Sequence, residues 1–149
     1  MGKVIQFNKK RGKIYITSIE HIYDTPGDLF LFCTTYSNNV PEGTYIVEQL
    51  SPSFDLLFKK KVWLDKGIFK SGFEEYRKLY LEELKQRIDT KEYLEKLEHL
   101  IAEGKEIVLF DNCYLKEYCH LNILKDFLIN KHGFRVEVVP KYFGGARRN

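Results

Sequence analysis

KEIVLFDNCYLKEYCHLNILKDFLINKHGFRVEVV, Lys105 to Val139, decides the fold of this chain. Its opening "IVLF" is a continuous apolar run too short for a helix, and its β-branched and aromatic content predicts a strand buried on both faces. In "LNILKDFLINKHG", Leu121, Leu124 and Leu128 fall on one helical face, and Gly133 stands where a left-handed residue closes a helix. "FRVEVV" then alternates and meets Pro140, as a short strand does. Strand, helix and strand at this spacing predict a right-handed parallel crossover. We therefore read the chain as α/β: a single compact domain over residues 1–149, with a mostly parallel sheet flanked by helices.

The upstream sequence fits that frame. "KVIQF" and "KIYITSI" alternate around the polar run Asn8 to Gly12, which predicts an N-terminal β-hairpin whose turn carries Lys9, Lys10, Arg11 and Lys13. "DLFLFCTTY", after Pro26 and Gly27, reads as a buried strand with Cys33 in the core. In "LSPSFDLLFKKK", Ser51 is expected to cap a helix that has Pro52 at its first position. Ser71 and Glu74 have capping-box spacing at the head of the next helix, where Phe73, Tyr76, Tyr80, Leu84 and Ile88 form one stripe. Asp89 and Glu92 repeat that spacing before Leu94, Leu97 and Ile101, and Gly104 follows the end. Residues 141–149, "KYFGGARRN", read as a basic C-terminal tail.

Composition bounds the function. The 149 residues are 44% hydrophobic, 30% charged and 15% aromatic, enough apolar side chain for a real core and against disorder. A formal charge of +3 defines no partner. Three cysteines do not make the disulfide framework of a small secreted domain, so reduced thiols and a cytoplasmic location are expected. The opening "MGKVIQFNKKRGKIYIT" lacks a secretory apolar core, Gln6 breaks a myristoylation pattern, and no run approaches the roughly eighteen apolar residues of a membrane span.

The chemistry concentrates where the buried strand runs into the last helix. In open α/β sheets, ligands gather beyond the carboxyl ends of parallel strands. Asp111 and Asn112 emerge at that end, while Cys119 and His120 open the helix, whose free N–H groups and dipole favour an anion and lower a thiol pKa. A zinc site from Cys33, Cys113, Cys119 and His120 is disfavoured, because five residues separate Cys113 from Cys119 and adjacent Cys119 and His120 point to different helix faces. A protein without metal or other cofactor is expected. A thiolate nucleophile needs a base within reach, which a sequence-adjacent histidine rarely is. The plainest alternative has Cys119 as a small apolar residue and His120 as a polar cap.

"LSPSFDLLFKKK", "FEEYRKLYLEEL", the strand "IVLF" and "YCHLNILKDFLINKHGFRVEVV" together resemble the YeaO-like family, domain of unknown function 488, found in bacteria and phages. The likeness runs from about Leu50 to Val139. It implies a compact α/β domain and brings no established activity. Of the family pattern, Cys119, His120 and Tyr80 match. Its two arginine positions fall on Leu121 and Leu79, and the strand end reads Asp111-Asn112 in place of Cys-Tyr-Glu. The chain thus looks like a divergent member with an altered pocket, since leucine cannot replace a bidentate guanidinium.

Two functional readings follow. The first is a pocket for a small anionic or nucleotide-like ligand, in an enzyme or a degenerate one, formed by Ser51, Ser53, Tyr80, Asp111, Asn112, Cys119 and His120. In it His120 is the acid or hydrogen-bond donor, Asp111 its orienter or a base, and Cys119 a supporting group, and the pocket is open to solvent. Against it, Ser51 and Ser53 can be caps alone, Tyr80 a core residue, and Asp111 and Asn112 a turn. The second is a non-enzymatic module, such as a phage accessory protein, that binds nucleic acid through Lys10, Arg11, Arg147 and Arg148 with nearby aromatics, or binds a host protein.

Overall fold

The computed structural model describes residues 11–33, 41–111 and 118–139. In chain order it contains β1 (Ile14–Ser18), β2 (Leu29–Phe32), β3 (Tyr45–Ile46), α1 (Phe54–Asp65), α2 (Phe73–Gln86), α3 (Ile88–Ala102), β4 (Ile107–Asp111), α4 (His120–His132) and β5 (Val136–Val138). Short 3₁₀ turns lie at Ile19–Asp24 and Glu48–Leu50. The five strands form one sheet in the order β3-β2-β4-β1-β5, and every pairing is parallel.

The unbroken apolar run "IVLF" fits the middle of this order. β4 has a neighbour on each side and all five of its residues are buried, so it has no polar face to present. Strand alternation sends Ile107 and Leu109 to one face, together with Ile14, Ile16 and Leu31, and there the side chains of all four helices build the main core. The opposite face carries a smaller cluster of Ile22, Phe32 and Phe110, whose two rings lie 5.1 Å apart. The crossover from β4 through α4 to β5 passes over β1, which sits between the two strands. Of the N-terminal hairpin, the strand "KVIQF" lies outside the described residues, as do Lys10 and the basic tail.

The helix boundaries correct several expectations. Ser51 does not cap α1. It is buried, its hydroxyl donates to the Pro52 carbonyl, and Ser53 is the cap, accepting from the Leu56 N–H at 3.2 Å. α1 also runs on through "VWLD" to Asp65. Gly72, not Ser71, precedes α2, and the Ser71 hydroxyl turns back to the Ile68 carbonyl. The stripe on α2 ends at Leu84. Ile88 belongs to α3 and is exposed, because Arg87 adopts an extended conformation (φ −76°, ψ 129°) that ends one helix and starts the next. Asp89 therefore lies in the first turn of α3 and not before it.

Arg87 fixes that corner with its side chain. It donates to the Ser51 carbonyl at 2.7 Å and the Glu48 carbonyl at 2.9 Å, and it pairs with Asp89 at 3.0 Å. Thr90 and Tyr80 hold the same segment by donating to the Gln49 and Leu50 carbonyls. The stretch entering α1 is thereby tied to the helices beneath it. Gly133 closes α4 in the left-handed conformation the sequence predicts (φ 67°). Among the described residues, no helix is long and apolar enough to cross a membrane.

Candidate functional site

At the carboxyl ends of the central strands, one register row carries polar side chains. Ser18 of β1 lies opposite Asp111 of β4, and Cys33, one residue beyond β2, continues the row by donating its N–H to the Phe110 carbonyl. Alternation places all three on the helix-covered face, above Ile16, Leu109 and Leu31. α4 begins directly over this row. Cys119 is its N-cap and His120 its first residue, so the turn into the helix sets the imidazole against the strand ends.

His120 Nε2 is 3.0 Å from Asp111 Oδ2 and 2.6 Å from the Cys33 carbonyl oxygen. A carbonyl can only accept, so Nε2 carries the hydrogen and shares it between the two oxygens. That fixes the tautomer of the neutral ring. In that form Nδ1 holds the lone pair, and no partner for Nδ1 is found among the described residues. The Tyr80 ring meets the imidazole edge to face at 5.7 Å, while its hydroxyl donates to the Leu50 carbonyl at 2.5 Å.

Asp111 also acts beyond this pair. Burial pushes the Cys33 thiol and the Tyr76 and Tyr80 phenols well above their ordinary ranges, and the negative charge of Asp111 adds to each shift. Burial lowers the Lys60 ammonium, and Asp111 opposes that effect. Lys60, half-buried on α1, has its amino group 5.4 Å from the centre of the Phe69 ring. At the rim, Lys70 lies 5.6 Å above the Tyr118 ring, which in turn meets Phe73 edge to face.

Of the residues singled out in the sequence, the fold brings together Asp111, His120, Tyr80 and Cys119. The hydrogen bonds of the two serines go to the chain around α1: Ser51 donates to its neighbour's carbonyl, and Ser53 binds the Glu83 carboxylate through both its N–H and its hydroxyl. Both hold the entry to α1. Asn112 lies outside the described residues. Cys119 is disulfide-bonded, contrary to the expectation of reduced thiols, and so it is neither a nucleophile nor a metal ligand here; Cys33 is free and buried. No group of three or more His, Cys, Asp or Glu among the described residues is placed to hold a metal.

The expectation of an open pocket around Asp111 and His120 is also corrected. Their side chains are only 4% and 2% exposed, and the Tyr80 ring packs against the imidazole. Of the basic residues, Arg11 pairs with Glu98 at 3.1 Å, which offsets its charge; Lys10, Arg147 and Arg148 lie outside the described residues.

Sequence reading missed Ser18, Tyr76 and Lys60 as members of this neighbourhood. Ser18 had a signal, since Ile14, Ile16 and Ser18 alternate onto one side of "IYITS" and the last of them is polar. Tyr76 lies on the apolar stripe of α2 and Lys60 in a run of three lysines, and neither pattern marks a site. Comparison with family models, with curated proteins and with solved structures found no match to this chain.

Proposed function

We propose that the buried carboxyl end of the sheet takes up a small anionic, nucleotide-like ligand into its interior and presents His120 Nδ1 to it as a proton acceptor. One observation carries this reading. Among the described residues, three buried side-chain polar atoms have no partner, Ser18 Oγ, the Tyr76 hydroxyl and His120 Nδ1; Ser18 lies opposite Asp111 in the sheet, His120 bonds to it, and its charge reaches Tyr76. Buried polar groups are normally satisfied, so a cluster of open valences at the ligand-binding end of a parallel sheet points to a bound molecule that completes them.

The roles follow from the hydrogen bonds. Asp111 and the Cys33 carbonyl orient the imidazole, which leaves Nδ1 to take a proton from a hydroxyl or from water. The amides of Leu121 and Asn122 already turn back on Cys119, so the helix contributes its positive field more than free N–H groups. Lys60 supplies the local positive charge that an anion needs beside a carboxylate. We further propose that the chain is a divergent YeaO-like protein; in support, Tyr80 and the Cys119-His120 pair, the positions that match that pattern, meet in space.

The test is a nitrogen-15 NMR titration of the imidazole with inorganic phosphate, adenosine monophosphate and succinate. We expect a saturable shift of the His120 ring nitrogens with at least one probe, weakened by about 1–3 kcal/mol in Lys60→Met, as for a lost bond to a charged group. If none of the three moves those resonances, the reading is wrong.

A further inference from the structure

A cavity lies away from the strand ends, where the end of α2, the start of α3 and the end of α4 converge. Its volume is about 280 Å³, just under the roughly 300 Å³ at which small-molecule sites begin. The floor is apolar, made by Leu84, Leu94 and Phe127, all of them core residues. The rim is basic: Lys85, Lys91, Lys131 and His132 come from three different helices, and none of the lining residues is acidic.

Helix dipoles explain part of this charge. Lys85, Lys131 and His132 lie in last turns, where cations are favourable. Lys91 lies near the start of α3, at the positive end of that helix, where a cation gains nothing from the dipole. Its place on the rim therefore needs another account. The His132 ring adds a flat wall, 5.1 Å from Phe127 and 6.1 Å from Phe134.

We infer that this cavity is a binding site for a small amphipathic anion, a phosphate or carboxylate joined to an apolar ring or short chain. The ring rests on Leu84, Leu94 and Phe127, and the anion is held by the lysines above them. Charge complementarity selects the anion, and the apolar floor selects against a bare ion. The site is independent of the one at the strand ends, and it needs neither His120 nor Asp111.

The probe is phenyl phosphate, titrated into the isotopically labelled full chain and followed by amide NMR, with inorganic phosphate and phenol as its two halves. We expect saturable shifts centred on Lys85, Lys91, Leu94 and Lys131, and weaker binding of either half alone. The charge reversals Lys91→Glu and Lys131→Glu together should weaken phenyl phosphate roughly ten-fold or more, while Lys61→Glu on the remote α1 surface should not. These lysines are exposed, so the variants are expected to fold, which circular dichroism checks. Shifts centred elsewhere, phosphate binding as tightly as phenyl phosphate, or equal losses in the Lys61 control would each overturn the inference. So would the absence of any saturable shift.

Discussion

Two buried tyrosines one turn apart on α2 should respond oppositely to loss of a single oxygen. Tyr76 and Tyr80 are both fully buried in the same core. The Tyr80 hydroxyl donates to the Leu50 carbonyl at 2.5 Å, whereas the Tyr76 hydroxyl has no partner among the described residues. Tyr80→Phe removes a donor and strands a carbonyl, which should cost about 1–2 kcal/mol. Tyr76→Phe removes only a desolvated hydroxyl. An unsatisfied buried group carries a penalty of about 1–3 kcal/mol, and losing the contacts of one atom returns a few tenths, so a net gain of about 1 kcal/mol is expected. For a chain of this length that corresponds to a rise in Tm of about 2–4 °C. Urea denaturation of the two variants and the parent, with unchanged slopes, measures both effects. A destabilisation of about 1 kcal/mol or more in Tyr76→Phe would be the refuting result. That result would mean the hydroxyl is already satisfied in the folded protein and has no valence to offer a ligand.

The other expectations test the frame around the site. Arg87→Met should destabilise by about 2–3 kcal/mol in urea melts, because it releases the Ser51 and Glu48 carbonyls together with Asp89. Gly12→Ala should lose at least about 2 kcal/mol, since an added Cβ would lie 1.7 Å from the Lys105 carbonyl oxygen; an unchanged melt would show that this approach relaxes freely. Burial lowers the His132 pKa below its ordinary 6.5, so between the folded value and 6.5 the unfolded chain binds more protons and stability rises with pH. Acidification through that window should destabilise the parent more than His132→Gln, a difference read from urea midpoints at several pH values. Neutralising Lys10, Arg11, Arg147 and Arg148 together should leave binding at the strand-end site unchanged; salt-sensitive RNA binding lost in that variant would favour the nucleic-acid reading instead.

The fold was legible because burial on both faces leaves a plain mark. "IVLF" has no polar alternation, which is what the middle strand of a parallel sheet requires, and the Leu121, Leu124 and Leu128 stripe set the helix over it. The helix starts were less legible, because capping depends on tertiary partners. Ser51 and Ser53 both suit a cap by composition, and the choice fell to Ser53 because Glu83, thirty residues on, anchors it. The strand β3 is two residues long and carries no pattern of its own. At the site, Asp111 and His120 were legible from their place at the end of a strand and the start of a helix. Lys60 and Tyr76 were not, since their proximity to Asp111 comes from how α1 and α2 pack and not from any local spacing.

The Asp111-His120 pair can be weighed against a purely structural role. Buried ionisable pairs bring little net stability, because desolvation consumes most of what their attraction returns, and an apolar pair of similar shape serves a core as well or better. A structural pair also does best when every lone pair and hydrogen around it is used, since a half-satisfied polar network is worse than none. Here one side of the imidazole is doubly engaged, by the Asp111 carboxylate and the Cys33 carbonyl, while Nδ1 and two neighbouring hydroxyls have no partner among the described residues. That asymmetry is wasteful for packing and useful for chemistry: the engaged side holds the ring in one tautomer, and the open side is where a proton can be taken. The double variant Asp111→Leu with His120→Phe should therefore keep or raise stability relative to either single change, while abolishing any ligand-induced shift at the strand ends. If the double variant is instead several kcal/mol less stable than the parent, the pair belongs to the architecture and the site reading falls with it.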